Sequence, residues 1–339
     1  RCPGRDISLS VTENTFVANT NAGIAVDDVG LDPNSQHTSG TGVAIADNSF
    51  VVPPMASGID VHCGLGSKLL AANNTFTSDS TSLTGVGMNV TESDPEVRGC
   101  SFQTLATGIF TQHACPLIAG NDFKTTSSVG IHVSDGQGHI EKNDFHCSDT
   151  GVMISGKSSD PAVVSNTFRG GFQGVCCRQA SGGRVNANVF DRTECGISML
   201  SSSNPVISSN HFQHCGSAAI RCEGCQGVLE DNEISDGHAE GIFIINANPY
   251  VTGNRLTGND VGISVAQCGS AVIEDNHIFG SLNSGVVVSD GGSAKLSKNH
   301  IQEWLAPCIK VSSHATCVLE ENEIALVRRQ HCRQHRRHQ

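Results

Sequence analysis

One short pattern recurs along this sequence: Asn143-Asp144-Phe145, Asn166-Thr167-Phe168 and Asn188-Val189-Phe190 each place a large apolar residue two positions after an asparagine. From Asn121 to Asn322 the asparagine returns every 22 or 23 residues. A fixed period of this length is typical of repeat proteins, in which one structural unit stacks on the next. The asparagines that we assign to a structural ladder are Asn121, Asn143, Asn166, Asn188, Asn210, Asn232, Asn254, Asn276 and Asn299.

A second pattern lies between successive asparagines: a glycine followed by apolar, variable and apolar residues. Examples are Gly130-Ile131-His132-Val133 and Gly262-Ile263-Ser264-Val265, whose period of two indicates a β-strand. A third short apolar segment precedes each asparagine, as in residues 271–275. Three short strands cannot bury their apolar faces within one repeat. They can do so when equivalent strands of successive repeats pair in parallel, about 4.8 Å apart.

These patterns predict an all-β fold, a single right-handed parallel β-helix (solenoid) of about 14 coils with about 22 residues per coil. We expect the β-helix to occupy residues 1–327 and residues 328–339 to form a basic, disordered tail. The asparagine is expected at a tight corner, because its backbone tolerates the left-handed conformation and its amide can bond to asparagines of adjacent coils. The glycine is expected at a second corner, where a Cβ atom would clash.

The charge distribution argues against binding to nucleic acid. The net charge is −12, and residues 328–339 contain five arginines and no acidic residue. Without those five arginines the chain has 16 basic and 33 acidic residues, a net charge of −17. Phosphate contacts require clustered Lys and Arg, so we expect no nucleic-acid partner. We also expect no membrane span, because no run of 18 apolar residues is present.

The two patterns, together with the dipeptides Asn204-Pro205 and Asn248-Pro249, resemble the right-handed parallel β-helix repeat of the carbohydrate-binding and sugar-hydrolase family. The resemblance extends from about Ile7 to Val327. In repeat style, residues 204–210 and 248–254 are similar to the β-helix of F-box only protein 11, a substrate-recognition subunit of a cullin–RING ubiquitin ligase. The resemblance implies the fold, and for function it implies either polysaccharide chemistry or the recognition of a protein.

An enzyme of this family would act on acidic polysaccharides. Hydrolysis needs paired carboxylates, and elimination or epimerisation needs a base with a cation or a metal. Polar residues at the outward, variable position of the glycine pattern lie mainly in coils three to six. The candidate binding residues are Asp60, His62, Asn89, His113 and His132, and the alternative catalytic set is Asp60, His132 and Asp135. The known signatures of polygalacturonases and alginate epimerases are incomplete, so we assign no catalytic residue.

Metal and cofactor signals are weak. Cys222 and Cys225 form a single C-x2-C pair, which without a second pair is poor evidence for zinc. Cys222 also aligns with an inward apolar position, where cysteine serves as a small hydrophobic residue. No phosphate-binding or dinucleotide-binding loop is present, and we expect no cofactor. The 15 cysteines show no regular disulfide spacing, which favours reduced thiols and a cytoplasmic location.

Two functional hypotheses remain, of which we favour the first. In that hypothesis the chain is a non-enzymatic scaffold with a protein partner, either a substrate-recognition module of a ubiquitin ligase or a structural part of a larger assembly. In the alternative it is an extracellular polysaccharide lyase, hydrolase or epimerase, or a glycan-binding module, that uses the outward face of coils three to six. A groove with two carboxylates, or with a carboxylate and a cation, would favour the alternative. The single Trp and single Tyr argue against sugar stacking.

Overall fold

The chain was analysed as a computed structural model, which describes residues 9–17, 21–27, 42–62, 69–78, 84–124, 128–146, 149–303 and 307–326. These residues form short β-strands joined by turns, and none of them lies in a helix. The described part of the chain therefore offers no helix that could cross a membrane. The predicted tail, residues 328–339, lies outside the described residues.

The strands form three sheets, and each coil contributes one strand to each sheet. The first sheet precedes the asparagine and consists of Leu9–Thr12, Val43–Ala46, Leu69–Ala72, Glu96–Arg98, Leu117–Ala119, His139–Glu141, Ala162–Val164, Arg184–Asn186, Val206–Ser208, Val228–Glu230, Tyr250–Thr252, Ser270–Glu274, Ser293–Ser297 and Thr316–Glu320. The second sheet follows the asparagine and consists of Thr15–Val17, Ser49–Val51, Thr75–Thr77, Ser101–Gln103, Asp122–Lys124, Asp144–His146, Thr167–Arg169, Val189–Asp191, His211–Gln213, Glu233–Ser235, Arg255–Thr257, His277–Phe279, His300–Glu303 and Glu323–Leu326. The third sheet contains the glycine pattern and consists of Ala22–Asp27, Ser57–His62, Val86–Thr91, Thr107–Gln112, Val129–Ser134, Thr150–Ser155, Gln173–Arg178, Cys195–Leu200, Ile220–Glu223, Glu240–Ile245, Val261–Ala266, Ser284–Val288 and Ile309–Val311.

Each strand pairs in parallel with the equivalent strand of the next coil, so that residues one repeat apart lie side by side. Phe123, for example, is opposite Phe145, which is opposite Phe168. This arrangement confirms the predicted parallel β-helix with about 22 residues per coil. The predicted number of coils is slightly too high. The third sheet has 13 strands, and residues 316–326 add only two strands of a further coil.

A stack of phenylalanine rings runs through the interior beside the second sheet. Successive ring centroids are 4.6–4.8 Å apart, and the rings belong to Phe16, Phe50, Phe76, Phe102, Phe123, Phe145, Phe168, Phe190 and Phe212. The stack explains the glycine pattern. A Cβ atom on Gly174 would lie 2.5 Å from Cδ1 of Phe190 and 2.6 Å from the carbonyl oxygen of Gly196. Glycine is therefore required for space, because a methyl group there would overlap the stack. The expectation that the glycine lies at a corner is wrong, since Gly174 is the second residue of the strand Gln173–Arg178.

The asparagines lie side by side at the corner between the first and second sheets. Asn143 donates from Nδ2 to the carbonyl of Ile118 and to Oδ1 of Asn166, both at 3.0 Å, and its backbone N–H donates to the same Oδ1 at 2.9 Å. The expectation of a left-handed asparagine is wrong. The left-handed residue is the preceding one, with φ of 53° at Lys142 and 56° at Ser165. The asparagine is needed for its buried amide, which pairs main-chain groups that the corner leaves without a partner.

Candidate functional site

The outer face of the third sheet carries the variable residues of the glycine pattern in a single row, which we call the outer column. Its members are paired in register and are Asp60, Asn89, Phe110, His132, Met153, Cys176, Ser198, Arg221, Phe243, Ser264, Val287 and Lys310. The residue two positions later also faces outward, because side chains alternate along a strand. We call this second row the rim column, and it includes Thr91, Gln112, Ser134, Ser155 and Arg178.

Four successive members of the outer column combine different polar and aromatic groups. Asp60, Asn89, Phe110 and His132 are all half-buried, and neighbouring strands are about 4.8 Å apart. Oδ1 of Asp60 is shielded from solvent and has no hydrogen-bond partner among the described residues. The ring of Phe110 meets the imidazole of His132 edge-on, with centroids 5.2 Å apart. This part of the face therefore combines a carboxylate, an amide, an imidazole and an aromatic ring.

His132 is linked to the rim column by one hydrogen bond. Its Nε2 lies 2.8 Å from the hydroxyl oxygen of Ser155, which belongs to the next strand. Burial lowers the pKa of His132, and the positive charge of Arg178 lowers it further. The imidazole is therefore neutral near pH 7, so one ring nitrogen is a donor and the other an acceptor.

Arg178 is the cation of this part of the face. It ends the strand Gln173–Arg178 and pairs in register with Ser155. Its Nε is shielded and has no hydrogen-bond partner in the described part of the chain. Within that same part, the arginines that form ion pairs with carboxylates are Arg98, Arg169, Arg192 and Arg221, and Arg178 is not one of them. No carboxylate of the described residues therefore pairs with the charge of Arg178.

Arg221 lies further along the outer column, and its charge is already compensated. Its guanidinium donates to Oε2 of Glu223 at 2.8 Å and lies over the ring of Phe243, 5.6 Å from the ring centroid. An arginine held in this way has less to offer a ligand than one without a carboxylate partner. The polar site is therefore centred between Asp60 and Arg178.

The structure separates the residues of the alternative catalytic set. Asp60 and His132 are three strands apart, about 14 Å, which is too far for both to act on one bond. Asp135 lies in the corner after its strand, with φ of 47°, and accepts the backbone N–H of Ser158 at 3.2 Å. His113 occupies the equivalent corner one coil earlier, with φ of 49°, and His62 is exposed at the end of Ser57–His62.

Ser155, Arg178 and Phe110 are not among the candidate site residues named from the sequence. The available signal was the strand period of two, which continues for two residues beyond the variable position and places Ser155 and Arg178 outward. The hydrogen bond between His132 and Ser155 depends on the register of adjacent coils, and the sequence pattern of a single coil does not contain it.

Cys222 and Cys225 belong to the interior. Cys222 is fully buried, pairs in register with Met199 and places its sulfur 3.8 Å from that of Met199. The pKa of Cys222 is raised chiefly by a hydrogen bond with the thiol of Cys225 and additionally by burial. The same hydrogen bond lowers the pKa of Cys225. No group of three or more metal-ligating His, Cys, Asp or Glu side chains occurs among the described residues. His211 and His214, just upstream, instead contact Glu233 and Asp191.

Comparison with protein families agrees with this architecture. The family described as "Right handed beta helix region" matches residues 8–145, 107–245 and 219–326. These overlapping matches cover nearly the whole chain, and the chain therefore belongs to the right-handed β-helix family. None of the curated proteins matches it.

Several solved structures with similar folds have names that refer to alginate, mannuronan or a bound oligosaccharide. The periplasmic alginate epimerase AlgG aligns over 84% of this chain and 77% of its own, with 14% identity and a TM-score of 0.58. A tailspike protein double mutant of E. coli bacteriophage HK620, in complex with a pentasaccharide, aligns over 92% and 70%, with 11% identity and a TM-score of 0.56. The A-module of the Azotobacter vinelandii mannuronan C-5 epimerase AlgE6 aligns over 94% and 91%, with 11% identity and a TM-score of 0.52. At these identities the similarity establishes the fold alone.

Proposed function

We propose that this protein binds a polysaccharide along the outer face of its third sheet. The observation that carries the proposal is the run of Asp60, Asn89, Phe110 and His132 on four successive strands, facing outward and half-buried. The strand spacing of about 4.8 Å is close to the length of one hexose unit. A glycan chain parallel to the helix axis would therefore place successive sugars over successive coils.

The side chains of this run suit the two kinds of surface that a sugar presents. Sugar hydroxyls need donors and acceptors, which the Asp60 carboxylate, the Asn89 amide and the His132 imidazole provide. The apolar C–H face of a sugar packs against aromatic rings, and Phe110 is the ring within this run. Tyr and Trp are therefore not needed for stacking here.

We propose recognition for this face and assign no catalytic residue to it. Glycoside hydrolysis requires two carboxyl groups about 5–10 Å apart. In the outer column Asp60 pairs with Ala25 and Asn89, neither of which is acidic. An acidic residue of the adjacent strand, Asp27, lies two residues beyond Ala25, in the rim column beside His62. Release of products from polyuronates, tested below, would assign these two carboxylates to catalysis.

The relatives favour this proposal over the protein-interaction scaffold of the sequence analysis. By their names, two are epimerases of alginate or mannuronan, and the third was solved with a bound pentasaccharide. None of these three names refers to a ubiquitin ligase. A glycan ligand also favours the extracellular alternative, since alginate epimerase AlgG is described as periplasmic.

The proposal is tested by calorimetric titration of the full chain with oligosaccharides of five to six units, in neutral and acidic series. Phe110→Ala should weaken binding about tenfold, the equivalent of roughly 1.4 kcal/mol for one lost aromatic contact. Tyr250→Ala is the matched control, because Tyr250 is an exposed ring on the first sheet. Absence of binding to every oligosaccharide, or equal loss in both variants, would refute the proposal. Release of products from polyuronates would refute the assignment to binding alone.

A further inference from the structure

The two ends of the polar run carry opposite charges. Asp60 lies on the strand Ser57–His62, and Arg178 lies on Gln173–Arg178, five strand spacings further along the third sheet. Five spacings correspond to roughly 24 Å, which is about the length of a five- or six-unit oligosaccharide. Between them lie Asn89, Phe110 and His132, none of which is charged near pH 7. A ligand that lies along the face therefore meets a negatively charged carboxylate at one end and a positively charged guanidinium group at the other.

We infer that the glycan carries mixed charge, with a neutral or amide-bearing sugar over Asp60 and an acidic sugar over Arg178. The inference rests on the proposed function, because it names the class of ligand that the same face accepts. The acidic substituent is a carboxylate or a sulfate ester, since both present paired oxygens to a guanidinium fork.

The Arg178 end has the chemistry of an anion subsite. Arg178 is half-buried and forms no ion pair with a carboxylate of the described residues. Ser155 stands beside it in the rim column, and the hydroxyl of this buried serine meets Nε2 of His132 at 2.8 Å. An anion over Arg178 would therefore be bound by the guanidinium group. Partial burial strengthens such charge-assisted bonds, because water competes less for the groups.

The Asp60 end disfavours an anion for the complementary reason. The half-buried Asp60 carboxylate accepts hydrogen bonds, which a hydroxyl or an acetamido N–H supplies and a carboxylate does not. In the outer column its neighbours are Ala25 and Asn89, so neither supplies a positive charge. A uniform polyuronate would place a carboxylate beside Asp60, where like charges repel. The face therefore selects against the uniformly acidic polymers that alginate epimerases are named for.

A glycan in which two kinds of sugar alternate matches this arrangement, because Asp60 and Arg178 would lie over sugars of different kinds. If one sugar lies over each coil, Asp60 and Arg178 are five units apart, which is an odd number. In a chain that alternates acidic and N-acetylated units, an acidic unit over Arg178 thus places an N-acetylated unit over Asp60. The acetamido N–H of that unit would then face the Asp60 carboxylate, which accepts hydrogen bonds.

The test is titration of the full chain with four hexasaccharides: a neutral N-acetylhexosamine oligomer, two oligomers in which alternate units carry a carboxylate or a sulfate ester, and a homopolyuronate. At least one alternating oligomer should bind about tenfold more tightly than the neutral oligomer and the homopolyuronate. The two alternating oligomers distinguish carboxylate from sulfate. Arg178→Gln should lower the affinity for the preferred oligomer to the affinity measured for the neutral oligomer. Arg178→Lys should give an intermediate affinity, because it keeps the charge without the fork.

Asp60→Asn should change the affinity in the opposite direction. Removal of the negative charge should raise the affinity for the homopolyuronate severalfold. Arg184→Gln and Glu230→Gln are matched controls on the first sheet, and they should leave all affinities unchanged. Thermal melting of each variant checks the fold. Equal binding of all four oligomers, unaffected by the Arg178 and Asp60 variants, would overturn the inference and leave glycan binding intact. If no oligomer binds the parent chain, the proposed function itself is refuted.

Discussion

Replacing Asn232 with leucine tests the physical role of the asparagine ladder. The Asn232 side chain makes four hydrogen bonds within the ladder. Its Nδ2 donates to the carbonyl of Ile207 at 3.0 Å and to Oδ1 of Asn254 at 2.9 Å. Its Oδ1 accepts the backbone N–H and the Nδ2 of Asn210, both at 3.0 Å. Leucine has a similar size but can make none of these bonds.

The expected loss follows from the groups that leucine leaves without partners. The carbonyl of Ile207, the backbone N–H of Asn210 and one N–H of the Asn210 amide all become unpaired in a buried setting. Oδ1 of Asn254 keeps the backbone N–H of residue 232 as a donor. Each buried orphan costs about 1–3 kcal/mol, and relaxation of the corner favours the lower half of that range. We therefore expect Asn232→Leu to lower the free energy of unfolding by about 3–6 kcal/mol.

The measurement is denaturant unfolding followed by circular dichroism, with midpoint and slope compared with those of the parent chain. Asn322→Leu is the matched control. Asn322 makes the same kinds of bonds to Leu296 and Asn299 but is only half-buried. Because water can reach its partners, the loss there should be about 1 kcal/mol. Equal midpoints for Asn232→Leu and the parent, or equal losses for the two variants, would show that the buried amides do not hold the corner.

Three further predictions concern other parts of the coil. Cys100 takes the place of an asparagine in the ladder, and its side chain offers Nδ2 of Asn74 only a sulfur atom, at 3.9 Å. Cys100→Asn should therefore raise the free energy of unfolding by about 1–2 kcal/mol. An unchanged denaturation midpoint would contradict this. Gly174→Ala should lower the free energy of unfolding by about 1–3 kcal/mol, because the added methyl group overlaps the phenylalanine stack. In the control Gly182→Ala the new Cβ atom would meet nothing closer than 3.3 Å, so the free energy of unfolding should change by less than about 0.5 kcal/mol. Burial lowers the pKa of His132 below its ordinary 6.5, so the unfolded chain binds a proton at this residue more readily than the folded chain does. The free energy of unfolding should therefore fall as the pH drops below about 6.5. His132→Gln should flatten this pH dependence in melting curves recorded from pH 7.5 to 5.

Much of the fold could be predicted from the sequence because the repeat makes every contact recur. The 22- or 23-residue step between Asn121 and Asn322 places equivalent residues side by side, and a period of two assigns their faces. The pattern also predicted that a Cβ atom would clash at the glycine, but it placed the glycine at a corner, whereas Gly174 lies within a strand. The conformation of the corner was not predictable in the same way. Asparagine tolerates a left-handed backbone, but Ser165 has that conformation so that Asn166 can turn its amide inward.

The candidate site was predictable in its location and less so in its members. The outer column of the third sheet contains Asp60, Asn89 and His132, all of which the outward positions of the pattern indicate. Ser155 and Arg178 enter the site through the neighbouring strands, one and two coils after His132. A sequence pattern reports which face a residue occupies, but it does not report which charges have partners.

By itself the sequence determined the architecture of this protein: a parallel β-helix, its period, its inward apolar columns and its outward rows. It could do so because each coil packs only on its neighbours, and a nearest-neighbour repeat is visible in a linear string. The tertiary structure alone decided which polar groups remain without partners, because that depends on side-chain directions in adjacent coils. Asp60 Oδ1 and Arg178 Nε are examples: both are shielded and have no hydrogen-bond partner among the described residues, and for this reason we place these two side chains at the ends of the proposed site.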